Sequence, residues 1–395
     1  MKRTILYPLL VFNLFLFSSI HSFASESDSI KLSLLTCAPG EEIYSLFGHT
    51  AIRYENPSRG IDVVFNYGLF SFNTPNFILR FALGETDYQL GATDYNHFAT
   101  EYFYSGRNVW QQTLNLTNEE KNKLIQLLEQ NYRPENRIYR YNFFYDNCAT
   151  RPRDKIEDCI EGKIIYPNIA PEGSKSFRDI VHQYCKGHPW ARFGIDLCIG
   201  SEADKAITQR QMMFAPFYLM NAFQNAKIEN KLSKHPLIVQ KDLIVEAPLE
   251  ENEGPWTPTP LQCSLILFML TVIATIYGIR KSKGLWGVDL VLFGSAGIAG
   301  CILAFLSLFS EHPAVSSNYL LLIFHPGQLL FLPYIIYCIR KRTKCWYLIL
   351  NILFLTLFIG LFPLIPQRFD FAVVPLALCL LIRSVSNVLL NYRNR

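Results

Sequence analysis

Two residues with reactive side chains stand in local patterns that suit nucleophilic catalysis, and the first of them is His49. The stretch Gly48–Tyr54 alternates as a half-buried β-strand does, which places His49, Ala51 and Arg53 on one face. A partner strand is predicted over residues 62–70, after a turn. The histidine is therefore expected at the entry of a β-hairpin, where an imidazole can act as a general base.

The second is Cys148, which follows the polar pair Asp146–Asn147 and precedes the helix-like segment 149–160. Either residue of the pair can cap that helix, so the pattern predicts the thiol in its first turn. Unpaired N–H groups and the helix dipole favour a thiolate there, and Arg151 and Arg153 add positive charge. A cysteine at a helix start that faces a strand histidine is the arrangement of papain-like enzymes.

The sequence pattern identifies the other polar residues of this candidate site less specifically than it identifies His49 and Cys148. Asn66, on the predicted partner strand, is the first candidate for orienting the imidazole, and Asp62 is the second. Each of them can instead face water at a sheet edge. The amide of Cys148 and its helical neighbours would hold an oxyanion. Arg53 and Arg151 are candidates for binding a phosphate head group, with a solvated surface charge as the alternative for each.

The order of these motifs resembles a known class of enzymes. The strand histidine within Gly48–Arg53 comes first and the helix cysteine within Asp146–Arg151 comes second, as in circularly permuted papain-like enzymes such as relatives of lecithin:retinol acyltransferase. More closely, the sequence resembles the bacterial Lnb family of lipoprotein N-acylation proteins, in its N-terminal periplasmic domain and in its helical membrane part. Further stretches that carry this likeness are residues 66–68, 84–88, 194–204 and 214–216.

The resemblance implies a fold and a reaction. The fold is an α+β, permuted papain-like (NlpC/LRAT-like) periplasmic domain followed by an all-α transmembrane domain of five helices. In the reaction Cys148, deprotonated by His49, attacks a phospholipid ester, and the resulting thioester is attacked by the N-terminal amine of a diacylglyceryl lipoprotein. The expected partners are therefore membrane phospholipid and diacylglyceryl lipoproteins, no cofactor is needed, and the expected location is the bacterial inner membrane with the catalytic domain in the periplasm.

Two functions of other kinds are compatible with the same residues. A cell-wall peptidase or amidase of the related NlpC-type fold would use the same cysteine and histidine, although a wall hydrolase needs only a tether rather than several spans. A non-enzymatic scaffold in the envelope would bind lipoproteins or other partners, and its thiol would be incidental. A fatty-acyl thioester on the cysteine distinguishes acyl transfer from both alternatives.

Composition and cysteine spacing argue against several other classes. The net charge of +4 is spread along the chain and no nucleic-acid-binding module is visible. The sequence contains no Cys-x-x-Cys pair, so no metal site is expected. The N-terminal half holds an odd number of cysteines, so at least one thiol remains free in an oxidising compartment, and Cys148 is expected to be that thiol rather than half of a disulfide. These cysteines are Cys37, Cys148, Cys159, Cys185 and Cys198.

The first residues have the features of a secretory signal peptide. Lys2 and Arg3 precede an apolar run over residues 5–17, and Ser22–Ala24 forms a small-x-small cleavage pattern. A polar, acidic and proline-containing connector later separates a mixed segment from an apolar one. The predicted division is signal peptide, periplasmic catalytic domain, linker and transmembrane domain over residues 1–24, 25–226, 227–260 and 261–395.

The C-terminal third is suited to a lipid bilayer. It holds five apolar segments, each close to the roughly 20 residues that cross a bilayer core. The basic stretches 280–283, 340–344 and 393–395 fall on alternate ends of these segments and therefore mark the cytoplasmic side. An odd number of crossings then agrees with export of the first domain. The segments are Leu261–Ile279, Leu285–Phe309, Tyr319–Ile339, Trp346–Phe362 and Phe371–Leu390.

Three features outside the catalytic pair are candidates for a secondary role. His312, in the outward loop after the second segment, is a candidate for binding substrate, with an ordinary loop residue as the alternative. His325 lies within the third segment, where polar groups are functional by default. The apolar run 212–220 fits a membrane-facing lid, but such runs more often complete a core, which is our prediction.

Overall fold

An antiparallel sheet of seven strands forms the centre of the N-terminal domain in the computed structural model, which describes residues 29–70, 75–168, 171, 173–231, 233–248 and 256–392. The predicted signal peptide lies outside the described residues. The strands of this sheet and of a second, smaller one are, in chain order, β1 (Lys31–Cys37), β2 (His49–Asn56), β3 (Ile61–Leu69), β4 (Asp87–Asp94), β5 (Val109–Leu114), β6 (Ile138–Arg140), β7 (Lys163–Ile165), β8 (Lys227–Glu229), β9 (Lys234–Pro236) and β10 (Ile238–Val245). The strand order in the sheet is β10-β5-β1-β2-β3-β4-β6, and β7, β8 and β9 form a second, small sheet.

The helices cover both faces of the large sheet and then form the C-terminal domain. Because protein covers both faces, the central strands are buried on both sides; for example, Ala51 and Ile52 of β2 are fully buried but belong to different apolar clusters. The helices are α1 (Phe77–Leu83), α2 (Tyr95–Tyr104), α3 (Asn118–Tyr132), α4 (Thr150–Cys159), α5 (Phe177–Tyr184), α6 (Pro189–Cys198), α7 (Gln209–Met212), α8 (Pro216–Gln224), α9 (Pro260–Arg280), α10 (Trp286–Phe309), α11 (Gly327–Leu330), α12 (Leu332–Lys341), α13 (Trp346–Leu361) and α14 (Val373–Tyr392).

The predicted hairpin around His49 is present. Strands β2 and β3 pair antiparallel from Ala51 opposite Asn66 to Asn56 opposite Ile61. A short 3₁₀ turn joins them, and it ends at Gly60 in the left-handed region at a φ of 64°. The strands of this hairpin carry four of the candidate residues, so its register fixes their relative positions.

Residues 227–245, predicted as part of a linker, instead form strands. β10 pairs antiparallel with β5 at the edge of the large sheet, from Ile238 opposite Leu114 to Val245 opposite Val109. Lys241 of this strand is exposed, as is usual for a charged residue on an edge strand, and Asp242 is half-buried; these charges give the segment the composition of a connector. β10 is therefore part of the large sheet of the N-terminal domain.

The predicted core role of the apolar run 212–220 is confirmed by burial. Met212, Phe214 and Leu219 have at most 1% of their surface exposed. Phe214 packs against Phe144, with ring centroids 5.1 Å apart. The run therefore lies inside the N-terminal domain, where it supports the loop that leads to Cys148.

The C-terminal domain is helical, and four of its described helices are long and apolar enough to cross a membrane. They are Pro260–Arg280, Trp286–Phe309, Trp346–Leu364 and Val373–Asn391. Four of the five predicted segments therefore correspond to long helices. The remaining segment, Tyr319–Ile339, is divided into a 3₁₀ turn, α11 and α12.

Two prolines divide the third segment, and a glutamine side chain binds a backbone group that the division leaves free. Pro326 and Pro333 interrupt the helical hydrogen bonds of this segment. The side chain of Gln328 donates to the carbonyl oxygen of Ile323 at 3.2 Å, which satisfies one backbone group that the break leaves free. Gly300 of α10 allows the close approach, because a Cβ there would lie 2.5 Å from the backbone of His325.

A buried ion pair links three of the long helices. Arg383 of α14 donates to both carboxylate oxygens of Asp289 on α10 at 2.8 Å, and it donates to the hydroxyl of Thr275 on α9 at 3.2 Å. Both charged side chains are almost fully buried. Because an isolated charge is costly at this depth, the pairing accounts for an arginine within the last span.

The two domains dock through backbone and side-chain hydrogen bonds. The N–H of Gly200, just after α6, donates to the carbonyl oxygen of Ala314 in the loop after α10 at 2.7 Å. The side chain of Asn318 donates to the carbonyl oxygen of Leu197 at 2.7 Å. Arg368, in the loop before α14, donates to Asp204 at 2.9 Å. The stretch 194–204 therefore holds the N-terminal domain against the loops of the C-terminal domain.

Candidate active site

His49 is the first residue of β2 and is positioned by a glycine before it and an asparagine beside it. Gly48 has a φ of +76°, and a Cβ at this position would lie 2.5 Å from the carbonyl oxygen of Cys37. Nε2 of His49 lies 3.2 Å from Oδ1 of Asn66, which is buried on β3. Since a carbonyl oxygen only accepts, Nε2 donates and the lone pair is on Nδ1. The free nitrogen is therefore the one able to accept a proton.

Cys148 is positioned by the side chain of Asn147. Oδ1 of Asn147 accepts from the N–H groups of Ala149 and Thr150 at 2.8 and 2.9 Å. Its Nδ2 donates to the carbonyl oxygens of Phe143 and Phe214 at 2.8 and 2.9 Å. This buried amide closes the turn directly before α4 and ties the turn that holds the thiol to the core, whereas the N-cap residue of α4 itself is Ala149, without a side-chain cap.

The position of the thiol relative to α4 differs slightly from the prediction. The regular helix begins at Thr150, so Cys148 lies in the turn directly before it rather than in its first turn. The N–H of Arg151 still bonds back to the carbonyl oxygen of Asn147 at 3.2 Å, so this turn is continuous with the helix. Asp146, the other candidate cap, forms an ion pair with Arg151 at 2.6 Å instead.

The thiol reaches the same end of the β2–β3 hairpin as the imidazole. The backbone N–H of Thr50, the residue after His49, points toward the sulfur of Cys148. On the other side, a Cβ at Gly68 would lie 3.6 Å from the Cβ of Cys148. Gly68 is two residues beyond Asn66, which contacts the imidazole. The structure thus gathers the predicted nucleophile, base and orienting residue at one end of the sheet.

Burial shifts both reactive groups toward their neutral forms. Burial raises the pKa of Cys148 to about 11, although the amides of Thr50 and Cys148 itself and the charge of Arg107 lower it. Burial lowers the pKa of His49 to about 4, although the hydrogen bond with Asn66 raises it, and Arg107 lowers it further. The resting pair at neutral pH is therefore a thiol and an uncharged imidazole, whereas the sequence pattern favoured a thiolate.

Arg107, which sequence reasoning missed, is the cation whose charge acts on the thiol. Its Nε donates to the carbonyl oxygen of Ala38 at 2.8 Å, and its guanidinium lies 4.7 Å from the ring centroid of Tyr102. It precedes β5, and β5 pairs with β1, whose last residue Cys37 is opposite His49. No local motif marks such a residue, because only the order of the strands brings it to the site.

Arg151 and Arg153, predicted to supply positive charge, are engaged elsewhere. Arg151 pairs with Asp146 and lies 3.5 Å from the ring centroid of Tyr139. Arg153 forms an ion pair with Asp154 at 2.8 Å. The sequence places both arginines near Cys148, but their guanidinium groups bind carboxylates on their own part of the chain.

Arg53, predicted to bind a phosphate group, also has partners within the protein. It donates to the carboxylate of Asp62 at 2.8 and 2.6 Å and to Gln111 at 2.8 Å, and it stacks on Tyr95 at 3.4 Å. It is four residues from His49 along β2, which is about 13 Å by the rise of a strand. Asp62, the second candidate for orienting the imidazole, is bound to this arginine, and Asn66 makes the contact instead.

His312 lies at the junction of the two domains. Its ring centroid is 6.3 Å from that of Phe81 on α1, and its backbone lies against Gly84. Burial lowers its pKa. His312 therefore packs against the segment between β3 and β4 and does not lie among the side chains at the thiol. His325 lies in the divided third segment, with its ring centroid 6.2 Å from that of Tyr347.

The cysteines of the N-terminal domain are all free thiols in the described part of the chain. Cys37, Cys159 and Cys185 are buried, whereas Cys148 and Cys198 are half-buried. The odd number of cysteines therefore does not by itself single out the nucleophile. Cys148 differs from the other four in its place at the turn before α4, beside the backbone of Thr50.

Comparisons with known proteins identify two domains in this chain. A family model described as the Lnb N-terminal periplasmic domain matches residues 21–170, and one described as the Lnb transmembrane domain matches residues 251–395. His49, Asn66 and Cys148 all fall within the first match. Searches among curated proteins and among solved structures returned no match.

Proposed function

The chain is an Lnb-type protein, and we propose that it is a membrane-bound cysteine acyltransferase. The two Lnb domains imply a function in lipoprotein N-acylation at a membrane. In the proposed reaction an acyl chain passes from a phospholipid, through a thioester on Cys148, to the N-terminal amine of a diacylglyceryl lipoprotein. The periplasmic side of the bacterial inner membrane is the proposed location.

The first half of the reaction uses the neutral pair described above. Nδ1 of His49 takes the thiol proton as the sulfur of Cys148 attacks the ester carbonyl carbon. The bond to the glycerol oxygen then breaks, and the imidazolium returns the proton to that oxygen, which releases a lysophospholipid. Negative charge on the carbonyl oxygen develops close to the amide of Cys148 and to Arg107, which favour it.

In the second half the amine displaces the sulfur. The uncharged N-terminal amine of the lipoprotein attacks the thioester, and the imidazole of His49 accepts the proton that the amine loses. The carbon–sulfur bond breaks, the proton passes to the sulfur, and the free thiol of Cys148 is restored. Asn66 keeps the imidazole in one tautomer through both halves, since its Oδ1 accepts from Nε2.

A single observation carries this proposal: the cysteine–histidine–asparagine group lies at the end of the sheet that faces the membrane domain. Leu83 and Gly84, on the segment between β3 and β4, contact the backbone of Glu311 and His312 just after α10. Lipid esters are the electrophiles present in quantity at that level of a bilayer. A thiol held there can take an acyl chain directly from a lipid.

The lipid state of a reporter lipoprotein in cells lacking the gene tests the function. We expect the reporter to keep a free N-terminal amine and two acyl chains in these cells, and to gain a third chain when the gene is restored. Mass spectrometry of the N-terminal peptide measures the difference. A tri-acylated reporter in the null strain would contradict the proposal.

The proposed topology has five crossings, with the divided third segment counted as one of them. The basic stretches 280–283, 340–344 and 393–395 then all face the cytoplasm. We expect a C-terminal alkaline phosphatase fusion to be inactive and a C-terminal fluorescent protein that matures only in the cytoplasm to glow. A phosphatase fused after Ser316, in the loop after α10, should be active as the matched control. An active C-terminal phosphatase would mean that the third segment enters and leaves on one side.

A further inference from the structure

Helix α1 is almost entirely apolar, and two of its described side chains are strongly exposed. Six of its seven residues are apolar, and Arg80 is the exception. Leu79 and Phe81 are each 50% exposed. Residues that are two positions apart in an α-helix are separated by about 200° around its axis, so these side chains project from nearly opposite sides of the helix. A helix that is apolar all round is suited to a lipid environment rather than to water.

The position of α1 places it at the level of the membrane surface. The N–H of Glu311 donates to the carbonyl oxygen of Leu83 at 2.8 Å, which joins the last turn of α1 to the residues that follow α10. A Cβ at Gly84 would lie 3.3 Å from the backbone nitrogen of His312, so the contact is close. The last residues of α10, Leu308 and Phe309, are 75% and 64% exposed. The exposed apolar side chains of α1 are therefore continuous with a membrane-spanning helix.

The polar residue of α1 has the position expected at a lipid–water boundary. Arg80 forms an ion pair with Asp87 at 3.0 Å, and Arg140 links the same carboxylate to Glu311 at the end of α10. All four side chains are at least 36% exposed. An apolar helix bordered by such partly exposed charges has the composition of a helix that lies in the membrane interface.

The segment that contains α1 leads to the thiol at both of its ends. It leaves β3 after Gly68, where a Cβ would lie 3.6 Å from the Cβ of Cys148. It returns to β4 at Tyr88, whose ring stacks on Tyr141 at a centroid distance of 4.2 Å. Tyr141 also lies 3.9 Å from the Cβ position of Gly68. Aromatic side chains therefore pack at both ends of the segment that carries α1, next to the thiol.

We propose that α1 lies in the outer leaflet of the membrane and that the acyl donor enters the site along it. The entry surface is formed by Leu79 and Phe81 of α1 together with Leu308 and Phe309 of α10. Its occupant is the acyl chains of membrane phospholipid, because the surface continues a helix that spans the bilayer. This inference rests on the proposed function for its donor, whereas the position of α1 in the leaflet does not depend on catalysis.

Photo-crosslinking tests the position of α1. A benzophenone amino acid is placed at residue 79 or 81 of the full chain, reconstituted in vesicles of phosphatidylethanolamine and phosphatidylglycerol, and mass spectrometry identifies the adducts. The control position is Val239, which is 60% exposed. It follows Ile238, which pairs with Leu114 at the end of β5 that is farther from His49. Lipid adducts at 79 and 81 but not at 239 are expected. Adducts to a second protein chain, or no lipid adducts, would overturn the proposal.

Matched charge substitutions test the entry of the donor. In Leu79→Glu and Phe81→Glu, acylation of Cys148 by vesicle phospholipid should fall at least about tenfold, because a carboxylate resists burial among acyl chains. Acylation by a short-chain, water-soluble activated ester should stay within about twofold, and Val239→Glu should change neither rate. An unchanged rate with vesicles, or an equal loss with both donors, would overturn the entry role. A wild-type chain that neither donor acylates would contradict the proposed function instead, and the crosslinks would still locate α1.

Discussion

Replacement of Cys148 by serine should abolish acyl transfer and leave a folded protein in the membrane. The oxygen occupies nearly the same space beside Gly68, so packing changes little. However, a hydroxyl is much harder to deprotonate than a thiol, and an imidazole with a pKa of about 4 is a weak base for that task. We expect transfer to fall by about three orders of magnitude or more. The lipid state of the reporter lipoprotein and the mass of the acyl adduct on the protein measure the loss.

A second cysteine provides the matched control for this prediction. Cys198, at the end of α6, is also half-buried but belongs to the part of the domain that docks on the membrane loops. Cys198→Ser should therefore retain transfer within about twofold of the wild type. Near-normal transfer by Cys148→Ala would exclude covalent catalysis at this position, and loss of transfer in both serine variants would indicate a general effect of removing thiols.

The parts of the site that sequence reasoning predicted correctly depend on short-range patterns. Alternation of apolar residues predicted the β2–β3 hairpin, and this pairing brings Asn66 within 3.2 Å of His49. The polar pair before Cys148 predicted a helix start close to the thiol, and Asn147 binds the N–H groups of Ala149 and Thr150 at that start, although the N-cap residue itself is Ala149. In each case the residues that decide the structure are neighbours in the sequence or in one hairpin, so a pattern of a few residues contains the information.

The parts that were missed depend on contacts between distant segments. Arg107 reaches the site because β5 lies beside β1 and β1 beside β2, which is a matter of strand order. Likewise, the pKa values of the thiol and the imidazole depend on how much protein surrounds them, and helix position alone predicted a thiolate. The partners of Arg53 were also not predictable, since Gln111 is more than fifty residues away. Contacts between segments that are distant in the sequence therefore determine the position of Arg107, the two pKa values and the partners of Arg53.

The membrane domain shows the same division between local and distant causes. Apolar length predicted the long helices well, because length and composition are local properties. The interruption of the third segment depends in addition on Gly300 of α10, which gives the backbone of His325 room to approach. A proline in an apolar run is compatible with a kinked span or a divided one, and the neighbouring helix decides between them.

A change of His49 to glutamine should have an effect as large as the change at Cys148. The amide can neither take the thiol proton nor return it to the leaving oxygen, so both halves of the reaction lose their proton carrier. We expect a loss of about three orders of magnitude, and little further loss when both residues are changed, because the two act as one unit. Asn66→Ala removes only the orienting contact and should cost less. Losses that add in full in the double variant would mean that the residues act independently.

The pH dependence of the wild-type protein tests the charge state of the same pair. Because burial lowers the pKa of His49 to about 4 and raises that of Cys148 to about 11, the imidazole stays uncharged as the pH falls and the thiol stays protonated as it rises. We therefore expect kcat/KM for the phospholipid donor, which reports only the acylation of Cys148, to be nearly constant from about pH 5 to about pH 10 and to fall below that range as His49 gains a proton. Alkylation of Cys148 by iodoacetamide should still increase with pH above about 9, since the thiolate is the reactive form. If alkylation instead reaches its full rate by about pH 6, the resting pair is a thiolate and an imidazolium, and the positive charge and amide dipoles at the thiol outweigh its burial.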